Sequence, residues 1–174
     1  MNGYLSRSLA VVFAILPTGG QLIAQSVCRV NPATLFYSRG FSQITVAPDQ
    51  RTVYIAGQVA QDSAGRVIGA GQFAIQATFA YQNLRRALEA VDVSYADIVK
   101  LTTFVVSAAP ENLVALRDAK IQAFGDVSPP AHTLAQVAAL YRPDIMLELE
   151  GVAVSKVPLD CEALKRRVER PAHP

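Results

Sequence analysis

Pro129-Pro130-Ala131-His132-Thr133-Leu134-Ala135-Gln136-Val137 decides the fold, together with Glu148-Leu149-Glu150-Gly151-Val152-Ala153-Val154, which starts eleven residues after it. The proline pair forces the backbone to run extended into the residues that follow, so a strand is expected there. A last strand is expected from Ile145 to Val154. Successive side chains of a strand point to opposite faces. Ile145, Leu147, Leu149 and Ala153 then share an apolar face that fits under helices. Met146, Glu148, Glu150, Val152 and Val154 share the other. A face that mixes Val and Met with carboxylates suits a subunit interface better than open water, so a homo-oligomer is expected.

Upstream, Gln43 to Ala47 and Thr52 to Val59 read as strands, with a turn at Asp49-Gln50. Asp62-Ser63-Ala64-Gly65 reads as a hairpin turn before a third strand, Arg66-Val67-Ile68. The period then changes. Phe73, Ala77, Ala80, Tyr81, Leu84, Leu88 and Val91 recur at helical spacing, which predicts a long amphipathic helix. Ile98 to Val106 returns to strand character. Pro110 can open a second helix, because its missing N–H is not needed in the first turn. Gly125 suits the position just past its end. The order is β-β-β-α-β-α-β-β. Two helices cover one face of a six-stranded sheet and leave the other solvated or shared with partners.

These segments resemble the RidA/YjgF family of small imine and enamine deaminases. Gly40-Phe41-Ser42-Gln43 is similar to that family's Gly-Pro-Tyr-Ser-Gln, and Ile55-Ala56-Gly57-Gln58 to its Ser-Gly-Gln strand end. Pro130-Ala131-His132-Thr133 stands on its Pro-Ala-Arg-Ser, and Glu148-Leu149-Glu150 on its Glu-Ile-Glu. Gln76, Asn83 and Asp97-Ile98-Val99-Lys100-Leu101-Thr102 also match. The resemblance covers residues 40–155. It implies an α+β, chorismate-mutase-like homotrimer with a six-stranded mixed sheet, two helices on one face and sites in clefts between subunits. It also implies a reaction, the hydrolysis of imines or enamines such as 2-aminoacrylate to keto acids and ammonia. In that reaction Glu148 lies near the attacking water, and the N–H groups of Gly57 and Leu134 help hold the ligand.

His132 departs from the pattern, because the family's arginine grips the substrate carboxylate. A guanidinium is always charged and offers two parallel hydrogen bonds. An imidazole is mostly neutral at pH 7, with an ordinary pKa of about 6.5, and has no planar fork. Losing such a clamp costs roughly 1.5–3 kcal/mol, on the scale of charged hydrogen bonds. His132 therefore weakens the case for 2-aminoacrylate or 2-iminopropionate deamination. Two readings stand: His132 binds or protonates a different substrate, or it is a structural interface histidine. Phe41 replaces a tyrosine and Ala56 a serine, so two hydroxyls go as well. Either the pocket favours a less polar ligand, or disuse let these positions drift. Glu148 serves the cleft or forms an ion pair, for instance with Lys100. Arg142 is a solvated loop residue or one that reaches the cleft. The candidate site is thus Glu148 and His132 for catalysis, and Phe41, Ala56, Gly57 and Leu134 for binding. The expected function is binding or hydrolysis of small imine- or enamine-like metabolites. The alternative is a non-catalytic trimer that binds a small ligand.

Other chemistries find little support. His132 and His173 are the only two histidines, and no Cys/His spacing suits a metal. No phosphate loop is present, and no cofactor is expected. The formal net charge is +2, which gives no footprint for nucleic acid. The ribonuclease label that the family once carried is disfavoured on the same ground.

The two ends of the chain read separately. Arg7, the apolar run Leu9 to Leu16, the breaker Pro17-Thr18-Gly19-Gly20 and Ala24 are expected to form a signal peptide over residues 1–24. That run is far short of the ~20 residues a membrane span needs. A secreted or periplasmic protein follows, with no membrane attachment after cleavage. Residues 25–40 are expected to be an irregular lead-in, 41–155 the domain and 156–174 a solvated tail. Cys28 and Cys161 flank the domain. An oxidising compartment would join them; otherwise they are two free thiols on the two tails.

Overall fold

The computed structural model describes residues 26–169. The expected signal peptide and His173 lie outside the described residues. The elements in chain order are β1 (Cys28–Val30), β2 (Ile44–Val46), β3 (Thr52–Gln58), α1 (Phe73–Ala90), β4 (Ile98–Val105), α2 (Pro110–Phe124), β5 (Ala131–Gln136), β6 (Leu147–Val154) and α3 (Cys161–Val168). The six strands form one mixed sheet in the order β1-β2-β3-β6-β4-β5. Only β4 and β5 run parallel, with Leu101 opposite His132 and Thr103 opposite Leu134. The last strand in sequence lies at the centre of the sheet, between β3 and β4.

The alternation expected of β6 holds. Leu147, Leu149 and Ala153 are buried, as is Ile145 just before the strand. Glu148 and Val152 are half-buried, and Glu150 and Val154 are exposed. Helix α1 lies across β3 and β6, with α2 beside it. Tyr81, Leu84 and Leu88 of α1 are fully buried with Leu101, Leu147 and Leu149 of the sheet. Each such aliphatic side chain contributes about 1.5–3 kcal/mol. Gln76 pins α1 to the start of β6. It is buried, its amide donates to Asp144 O at 2.7 Å, and its oxygen accepts from Met146 N–H at 2.9 Å. Pro110 does open α2. Gly125 closes it at φ +57°, a left-handed conformation that suits glycine.

Three expectations are corrected. Arg66-Val67-Ile68 is not a strand; the hairpin makes a single bridge, Gln61 to Val67. The Arg66 side chain instead turns back onto Asp62 at 2.7 Å and stabilises the turn. The sixth strand is β1, inside the segment read as an irregular lead-in. The tail carries a third helix, α3, where two helices were expected. Asp160 starts it by accepting from Ala163 N–H at 3.1 Å. Helix α3 packs on β1, and Cys28 and Cys161 are joined by a disulfide with their Cα atoms 5.7 Å apart. Ala33 N–H donates to Val168 O at 2.8 Å, and Asn31 N–H to the Glu169 carboxylate at 2.9 Å. Among the described residues no helix is long and apolar enough to cross a membrane.

Candidate functional site

A cavity of about 560 Å3 opens beside β3. Strand β3 is irregular there. Ile55 pairs with Gly151 and Gln58 with Leu149, so Ala56 and Gly57 together oppose the single residue Glu150. This is a β-bulge, a device that re-aims backbone and side chains. It brings Gly57 against Glu148. A Cβ on Gly57 would sit 1.6 Å from Glu148 Oε1, so only glycine leaves the carboxylate its place.

Glu148 is half-buried and makes no hydrogen bond or ion pair among the described residues. Burial pushes its pKa up, and the nearby Glu150 adds to the shift. Lys100 does not neutralise it, since its ammonium donates to Thr133 Oγ1. Glu150 is exposed. It borders a smaller depression of about 330 Å3 with Lys100 and Thr102, on the sheet face away from the helices.

Leu35, Phe36 and Phe41 supply apolar wall, with Ala56 at the bulge. Behind them lies a set of carboxamides. Gln58 donates to Gln43 Oε1 at 2.8 Å and to Ala56 O at 3.0 Å. Gln43 donates to Phe36 O at 2.6 Å. Asn83 donates to Val59 O and Gln61 O, both at 2.8 Å. The Tyr141 hydroxyl donates to Gln61 Oε1 at 3.1 Å. Burial raises the Tyr141 pKa, so the phenol stays protonated at neutral pH.

The chain thus brings Phe41, Ala56, Gly57 and Glu148 together. His132 and Leu134 do not line this cavity. In β4, Leu101, Thr103 and Val105 are buried under the helices. Their partners in β5 share that face, and the His132 Nε2 lies 2.9 Å from Thr103 Oγ1. Phe104, opposite Glu148, faces the other way. His132 and Glu148 therefore stand on opposite faces of one sheet, and one chain does not join them as a catalytic pair. Burial lowers the His132 pKa, helped by Lys120 and Lys100, so the ring is neutral at pH 7. Arg142 does not line the cavity; its guanidinium pairs with Asp144 at 2.7 Å. Its neighbour Tyr141 does line it. Tyr141 and Gln61 were missed in the sequence, and Gln43, Gln58 and Asn83 were matched to the family pattern without being placed in the site. The signal available was the aromatic residue beside Arg142-Pro143, in the loop that leads into β6.

Among the described residues no cluster of His, Cys, Asp or Glu could hold a metal ion. A central strand offering an unpaired acid against a glycine bulge, beneath two helices on a mixed sheet, defines a small α+β protein with an acid-bearing cleft. The chain belongs to the RidA/YjgF family: residues 34–155 match the family model described as Endoribonuclease L-PSP. No curated protein matches the chain. Solved structures do. Yeast Mmf1 is 23% identical over 75% of this chain and all of its own, with a TM-score of 0.67. RidA from an Antarctic Psychrobacter is 23% identical over 72% of this chain and 98% of its own, with a TM-score of 0.64. YyfA of the Rid family from Yersinia pestis is 20% identical over 75% of this chain and all of its own, with a TM-score of 0.68. At these identities the likeness shows the fold.

Proposed function

We propose that the cavity beside β3 binds small imine- or enamine-like metabolites and hydrolyses them with Glu148 as general base. The observation that carries this reading is the unpaired, half-buried Glu148 carboxylate held against Gly57. A raised carboxyl pKa makes the carboxylate a stronger base, which suits a group that takes and returns a proton. Glu148 accepts a proton from water as the water oxygen bonds to the carbon of the protonated imine, giving a neutral carbinolamine. The proton passes to nitrogen, the C–N bond breaks, and the hydroxyl proton leaves with ammonia as ammonium. A carbonyl compound remains.

His132 enters only from a second copy in this reading. Strand β5 is a sheet edge, and His132 and Leu134 lie along it. We propose a homotrimer in which this edge borders the cavity of a neighbouring copy. Neutral His132 does not replace a guanidinium clamp, so 2-iminopropionate is expected to be a poor substrate. The endoribonuclease reading has less support, since the charged side chain in the cavity wall is a carboxylate and repels phosphate. The joined cysteines and the apolar leader support export to an oxidising compartment.

The test is an assay of the mature protein against 2-iminopropionate and a panel of neutral imines. Turnover of at least one imine, lost in Glu148→Ala, is expected. No rate above buffer on any of them, with Glu148→Ala making no difference, overturns the enzyme reading. A ligand recovered unchanged from the cavity would favour binding without turnover.

A further inference from the structure

The charge of the cavity wall is one-sided, and most of its side-chain donors are committed. Both amide hydrogens of Asn83 are committed to main-chain carbonyls. Both of Gln58 are committed, to Gln43 Oε1 and Ala56 O. One of Gln43 goes to Phe36 O, and one of Gln61 to Gly65 O. The Tyr141 proton goes to Gln61. Most side-chain donors in the wall therefore serve the protein itself. Within one chain, no Lys, Arg or His is among the described residues that line the cavity, and the only such group that β5 of the proposed neighbour adds is His132. What remains for a ligand is the Ser38 hydroxyl proton, one amide hydrogen each of Gln43 and Gln61, the phenol oxygen of Tyr141 and the Glu148 carboxylate, the one charged group among the described lining residues. The rings of Phe36, Phe41 and Tyr141 add electron-rich surface, which attracts cations.

An anion would meet a carboxylate and few free donors in this wall. A ligand with N–H donors and positive charge would find an unpaired acid. Desolvated charge is tolerated when it is paired and hydrogen-bonded. The volume of about 560 Å3 also lies in the range of cavities that hold molecules with a sizeable apolar body.

We propose that this cavity selects a nitrogen cation without a carboxylate, a protonated imine or primary ammonium carrying an apolar or aromatic group, with Glu148 as its counter-ion. This rests on the reading of the same cavity as the functional site. It changes what His132 means, because a ligand without a carboxylate needs no arginine clamp.

The test titrates the mature, oxidised protein with benzylamine, cyclohexylamine, benzoate and pyruvate at pH 7, by calorimetry and ligand-observed NMR. The two amines are expected to bind, and the two carboxylates to bind at least tenfold more weakly. Glu148→Gln should weaken amine binding by about 10- to 100-fold, the loss of one charge-assisted hydrogen bond. Phe41→Ala provides a second variant at an exposed position, with a smaller loss. Carboxylates binding while amines do not would overturn the inference and leave the site standing. Amines binding with the same affinity in Glu148→Gln would also overturn it. If no probe binds and Glu148→Ala leaves imine turnover unchanged, both the inference and the site reading fall.

Discussion

The two edges of the sheet are finished in opposite ways. At one edge β1 is only Cys28–Val30, yet it is covered by α3, cross-linked through Cys161 and tied again at Ala33 and Asn31. At the other edge β5 is twice as long, and four of its residues, Ala131, Thr133, Leu134 and Gln136, are exposed. Edge strands invite pairing with other chains, and proteins usually blunt them. This protein blunts one and leaves bare the one that carries the Pro130-Ala131-His132-Thr133 signature. The first edge is tied by a covalent bond and hydrogen bonds, and association is expected at the second.

The comparison breaks most readily at the closed edge. Cys28→Ser with Cys161→Ser is expected to remove roughly 4–5 kcal/mol, the entropy of closing so long a loop. Denaturant melts of this variant, and of the parent with and without reductant, measure it. Equal midpoints would mean that β1 and α3 close the edge without the bond. Next comes the bulge. Gly57→Ala places a Cβ where Glu148 Oε1 sits, and the carboxylate must swing away. Imine turnover should fall on the order of 100-fold, as for a catalytic group misplaced by about 1 Å. The melting temperature should hardly move, because only the flexible end of a side chain yields.

Glu148 itself separates function from stability. Its folded pKa lies above its unfolded value, so the folded state holds that proton more tightly. Any stabilisation from it is complete below the ordinary carboxyl range and is lost as pH rises through the folded pKa. Glu148→Gln should therefore be more stable than the parent at pH 7, and the gain should shrink toward pH 4. A variant less stable than the parent at pH 7 would show that Glu148 has a stabilising partner. The smallest effect on folding is expected at the open edge. Leu134→Lys should alter stability by no more than about 0.5 kcal/mol, as for a surface change, but should reduce the mass seen by light scattering. An unchanged mass would move the interface away from β5.

The strongly periodic parts of this fold were legible in the sequence, and the short parts were not. Helix α1 announced itself through seven apolar positions on one stripe, and α2 through Pro110 and Gly125. Strand β1 is three residues with an arginine in the middle, too short to show alternation. Helix α3 buries Leu164 and hides Cys161 only partly, so Lys165-Arg166-Arg167 read as a solvated tail. Its start was nonetheless written in Asp160 and Glu162, an N-cap and an acid in the first turn. Within the candidate site, Gly57 and Glu148 could be found because they sit on a recognisable pattern. His132 could not be placed, because one-residue alternation in a parallel pair decides its face. Tyr141 was hidden, and so was the part that the matched Gln58 and Asn83 play in the cavity wall, for a different reason: side chains from separate elements meet only once the chain has folded.

The Cys28–Cys161 bond also gives the molecule a closed covalent outline. With the two Cα atoms 5.7 Å apart, the backbone between them and the bridge form a ring that holds the whole sheet and α1 and α2. A protease that cuts one exposed loop of this ring, such as the one around Tyr141, opens the circle without releasing a fragment. The nicked chain keeps both pieces until a reductant frees them. Ser26 and helix α3 leave the ring side by side at Cys28 and Cys161, at the sheet edge remote from β5.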